Sequence, residues 1–82
     1  MSPAMRKAIV LINTAPGGED EVYKALKAEA GITEVHQLYG LYDILAVVES
    51  PDDAGVKSVI SNKVRSNPKV ASTLTMNVVT SG

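Results

Sequence analysis

Apolar residues run without a break from Ala8 to Ile12, and three of the five are β-branched. Such a run suits a strand buried on both faces. A second predicted strand, 32–39, mixes polar and apolar positions and reads as a sheet edge, whereas the third, Tyr42 to Val48, is again apolar on both sides. The last, Val70 to Val79, alternates with a period of two: Val70, Ser72, Leu74, Met76 and Val78 on one side, Ala71, Thr73, Thr75, Asn77 and Val79 on the other.

Between these lie two helical patterns. After a loop over 13–18 that contains Pro16, Gly17 and Gly18, the acids Glu19, Asp20 and Glu21 suit a helix N-terminus. Val22, Ala25 and Leu26 follow at helical spacing, and Gly31 is placed to end the helix. Ser50-Pro51-Asp52-Asp53 reads as a capping box with Ser50 as the cap; Val56, Val59, Ile60 and Val64 then form an apolar stripe that Asn67-Pro68 terminates.

The order β-α-β-β-α-β predicts an α+β, ferredoxin-like sandwich: a four-stranded antiparallel sheet with both helices on one face. Its first and third strands are the central pair, in agreement with their two-sided apolar character. Either Ile9 and Leu11, or Ala8, Val10 and Ile12, must then face away from the helices. That open face measures roughly 400 Å², about the largest apolar patch a soluble monomer shows, and the economical cover is a second copy in a two-fold dimer.

Composition narrows the function. A chain of 82 residues reads as one small domain, for which association adds stability. Without cysteine, and with His36 as its one histidine, it offers no thiolate or imidazole metal site, and no cofactor motif is visible. A formal charge of −1 gives no basic field for nucleic acid. The first apolar run is too short to span a membrane and no small-residue cleavage site follows it, which reads as a cytoplasmic protein. No nucleophile stands with a base and an orienting acid, so no catalytic residue is assigned.

The stretch Leu38-Tyr39-Gly40-Leu41-Tyr42-Asp43 interrupts two apolar runs, and Gly40 reads as the pivot of a tight hairpin. Asp43 is placed either to order that turn or to accept hydrogen bonds from a ligand ammonium, with the Tyr42 hydroxyl beside it.

Ala8-Ile9-Val10-Leu11-Ile12, Pro16-Gly17 before an acidic helix, Gly40-Leu41-Tyr42-Asp43-Ile44-Leu45, Pro68-Lys69-Val70 and Thr73-Leu74-Thr75 resemble the effector-binding half of the leucine-responsive regulatory protein/AsnC family, the RAM domain. The similarity runs from about Arg6 to Val79. It is most specific at the G-x-Y-D step and the T-x-T near the end, and the chain departs from the family at Tyr39 and Lys69, where threonine and glycine are common. The resemblance implies one RAM domain over 1–82 without the helix-turn-helix of full-length regulators. It also implies dimers paired through their sheets, rings of dimers, and a small effector, commonly an amino acid, held by Gly40, Tyr42 and Asp43 with Thr73 and Thr75. A full-length regulator of the family is an implied partner, and direct DNA binding is not expected. Two other readings fit the pattern less closely: an ACT-like amino-acid-binding module and a small dimeric α+β-barrel enzyme of the monooxygenase type.

Overall fold

The structure, a computed structural model, describes residues 5–79. Its elements are β1 (Arg6–Thr14), α1 (Glu19–Lys27), β2 (Ile32–Gln37), β3 (Ile44–Ser50), α2 (Asp53–Val59, extended by one π-helical turn over Ile60–Val64) and β4 (Val70–Asn77). The antiparallel sheet has the order β2-β3-β1-β4, so the two strands apolar on both faces are the inner ones. This is the βαββαβ ferredoxin-like fold.

Ala8, Val10 and Ile12 of β1 face the helices and are fully buried. Across the ladder they stand opposite Val48, Ala46 and Ile44, which are equally buried. Val22 and Leu26 of α1 and Val56, Ile60 and Val64 of the second helical segment close the core from above. The opposite parity, Ile9 and Leu11, lies on the open face beside Val47 and Leu45 on one side and Met76 and Leu74 on the other.

Several local expectations are corrected. Gly31 does not end α1, which stops at Lys27; Gly31 instead lets α2 approach the chain, because a Cβ there would sit 2.7 Å from Val59 Cγ2. Ala25 is exposed, and Tyr23 packs against the core instead. Among the described residues only Gly17 has a positive φ, of 78°, so Gly40 is no hairpin pivot. It lies in a wider loop over 38–43, closed where the Leu38 N–H donates to the Asp43 carbonyl at 2.7 Å. Tyr42 and Asp43 therefore precede β3.

Ser50 is the last residue of β3, and the cap of α2 is Asp52, whose Oδ1 accepts from the Gly55 N–H at 2.7 Å. Asp52 itself is extended, at φ −140° and ψ 166°, and a carboxylate three residues before a free N–H serves as well as a serine. Asp52→Ala should lower stability by about 1 kcal/mol. A urea midpoint reduced at unchanged slope would report it, and an unchanged midpoint would leave the cap without energetic weight.

In β4, Leu74 and Met76 face the open side as their alternation predicts, but Val70 packs against the core. An irregularity between Asn13 and Thr14 shifts the pairing there.

Candidate functional site

The loop over 38–43 is anchored at its end. The Asp43 N–H donates to the Ile12 carbonyl at 2.9 Å, and Asp43 Oδ2 accepts from the Thr14 N–H at 2.8 Å and from Thr14 Oγ1 at 3.1 Å. One carboxylate oxygen thus satisfies the end of β1, where the ladder to β3 has finished. Among the described residues Oδ1 has no hydrogen-bond partner, and Asp43 lines a cleft next to it.

That open cleft, about 680 Å³, lies between the loop and the start of α1. Glu19 and Asp20 form its α1 wall, Gln37 to Gly40 its loop wall, and Asp43 joins them. Gln37 Nε2 donates to Asp20 Oδ1 at 3.0 Å and ties the two walls together. Three carboxylates and no cation line it, so its field favours a positively charged group. Tyr39 and Leu41, both almost wholly exposed, carry an apolar surface outward from the loop.

Of the five residues singled out in the sequence, Gly40 and Asp43 line this cleft and half-buried Tyr42 lies between them in the chain without lining it. Thr73 and Thr75 are elsewhere. They pair with Ile12 and Val10 across the far edge of β1 and line grooves against the second helical segment. Within one chain the five do not form one pocket. In the sequence Glu19 and Asp20 stand out only as helix-start residues, through the acidic triplet; their place opposite Asp43 follows from α1 packing over β2.

Among the described residues no cluster of three or more His, Asp or Glu could hold a metal ion, and no helix is long and apolar enough to cross a membrane. His36 lies on exposed β2 with Nε2 at 3.1 Å from Glu34 Oε1.

The sequence matches the family model described as Lrp/AsnC ligand binding domain over residues 7–81. None of the curated proteins matches it in sequence. Among solved structures, FFRP-DM1 is 32% identical with a TM-score of 0.86, covering 90% of this chain and 99% of that one. The hypothetical protein PHS023 from Pyrococcus horikoshii is also 32% identical at TM-score 0.86, covering 93% and 92%. The transcriptional regulator NMB0573 from Neisseria meningitidis, solved as an L-Met complex, shares the fold at 13% identity and TM-score 0.80. It is covered over 50% of its length by 92% of this chain.

Proposed function

The chain belongs to the Lrp/AsnC ligand-binding domain family, and from that premise we propose that it is an amino-acid-sensing and assembly module acting in transcription regulation. The acidic cleft beside the loop over 38–43 carries the reading. An amino acid offers an ammonium, which the unpartnered Asp43 Oδ1 and the carboxylates of Glu19 and Asp20 attract, and a carboxylate, for which backbone N–H groups are available at Tyr39 and Gly40. The L-Met in the NMB0573 complex supports an amino acid as the ligand class. Thr73 and Thr75 join this cleft only where a neighbouring copy contributes them.

The assembly half of the function rests on the open sheet face. Ile9, Leu11, Leu45, Val47, Leu74 and Met76 form a continuous apolar surface rimmed by Lys7, Glu49, Asn13 and Ser72, which suits an isologous two-fold contact. The dimer, or a ring of dimers, then works without DNA binding of its own. The net charge of −1 supports this, as does the short second helix, which presents no recognition helix. Its output passes through a full-length regulator of the same family, and no catalytic step is assigned.

A thermal-shift screen against the twenty amino acids tests the reading, since a ligand at 100 times its Kd adds about 2.7 kcal/mol of stability. Asp43→Ala should abolish the shift and weaken calorimetric affinity at least about tenfold, about 1.4 kcal/mol, while the dimer persists. Unchanged affinity in this variant would leave Asp43 as the anchor of Thr14 alone. A flat response across all twenty would remove amino-acid sensing and leave the assembly role.

A further inference from the structure

The helix layer covers the sheet unevenly. Its second segment packs over β3 and β1, and the helix-side face of β4 beyond it carries Thr73, Thr75 and Asn77, of which the last two are exposed. Lying beyond the helix, this face presents hydroxyl and amide groups at alternate positions along a strand of eight residues that includes no charge. Two adjoining grooves of about 310 and 320 Å³ run between this strand and the helix. Arg65 lines both, with Thr73 in one and Lys57, Ser61 and Thr75 in the other.

The π-helical turn is what brings Arg65 there. On a regular α-helix the fifth residue along lies about 140° around the axis from the first. The Arg65 N–H instead donates to the Ile60 carbonyl at 2.8 Å, so Arg65 sits over Ile60, while Ile60 and Val64 both stay buried. Ile60 and Val64, four residues apart, share a face on either kind of turn; what the widened turn changes is the direction of Arg65, which lines the groove. Such turns occur frequently at functional sites.

The charges are also free. Among the described residues neither Lys57 nor Arg65 forms an ion pair; Lys63 pairs with Glu29 at 3.7 Å, and Asp53, one turn before Lys57, is engaged by Arg6 at 3.8 Å. No carboxylate lines either groove. Two cations and a row of hydroxyl donors without a competing acid make a site for an oxyanion of two charges.

We propose that the groove between the second helix and β4 binds a small doubly charged oxyanion, a phosphate ester or a dicarboxylate, through Lys57, Arg65, Ser61, Thr73 and Thr75. It is separate from the acidic cleft, which has the opposite sign and lies on the other side of β1. The π turn makes Arg65 the residue that bridges both grooves.

Amide chemical shifts of the 15N-labelled protein, titrated with inorganic phosphate and separately with succinate at constant ionic strength, test this. Saturable shifts at Ser61, Arg65, Thr73 and Thr75 are expected with one or both anions, and the responding anion identifies the class. Arg65→Gln and Lys57→Gln should each weaken that response at least tenfold with the remaining spectrum unchanged. Shifts that fail to saturate, that sodium chloride reproduces, or that survive both substitutions would overturn the site. An amino-acid titration separates it from the sensing function. Movement of the loop over 38–43 that leaves Ser61 and Arg65 in place keeps the groove independent, whereas simultaneous movement of the loop with Ser61 and Arg65 would make the groove the carboxylate half of the effector site and overturn the separate-site inference.

Discussion

Replacing Leu11 by aspartate should convert the proposed dimer into a monomer that keeps its fold. Leu11 stands in the middle of the open face, opposite Leu45 on one side and Leu74 on the other. In a free monomer its side chain is half-buried among neighbours that still leave it access to water, so a carboxylate there keeps much of its hydration. Between two sheets it would lose that hydration without a cation to replace it, and twice per dimer by symmetry. Association should weaken at least about 100-fold, or about 2.8 kcal/mol. Sedimentation velocity at micromolar concentration reads the change, and circular dichroism checks that the strands remain. A Leu11→Asp protein that still sediments as a dimer would place the interface on another surface.

Leu26→Ala should cost about 2–5 kcal/mol, the range for removing a fully buried leucine from a core. The consequence is largest in α1. At nine residues this helix is too short to persist alone, and its preceding residue Gly18 supplies no side-chain cap. Val22 and Leu26 are its two buried residues, with Tyr23 packed at the margin. Since an 82-residue domain has a total stability of about 4–12 kcal/mol, the loss is a large share of it. Amide exchange should accelerate first over 19–27, and affinity for the proposed amino-acid ligand should fall with it, because Glu19 and Asp20 belong to the cleft wall. Uniform acceleration over helix and central strands alike would show that α1 does not open independently of the sheet.

These two substitutions test opposite faces of one sheet, and that division was only partly legible in the sequence. Two-sided apolar character was enough to identify β1 and β3 as the central pair, and helical spacing selected Val22, Leu26, Val56, Ile60 and Val64, all buried, together with half-buried Val59 and with Ala25, which is exposed, because burial repeats only approximately with local geometry. Periodicity is silent for β1 itself, where both parities are apolar. Helix packing makes the choice: Ala8, Val10 and Ile12, with Val48, Ala46 and Ile44 opposite them, form one buried cluster with Val22, Leu26, Val56, Ile60 and Val64.

The candidate site divides in the same way. Gly40 and Asp43 could be singled out from a short stretch whose residue types interrupt two apolar runs. Their surroundings depend on residues distant in the chain: Thr14, 29 positions before Asp43, takes one of its oxygens, and the start of α1 brings Glu19 and Asp20 to the other side of the cleft.

The local composition of residues 8–12, 22–26, 44–48 and 56–64 by itself determined where strands and helices form and that two strands are central, since each choice depends on neighbours within a turn or two. Tertiary packing decided which face of β1 is open, that Gly31 serves the approach of Val59, that Asp43 anchors β1, and that Arg65 turns toward β4. Each of these depends on contacts between segments tens of residues apart, or, for Arg65, on a widened turn in which its N–H bonds the Ile60 carbonyl, and the apolar pattern, which is the same for either kind of turn, does not carry that information.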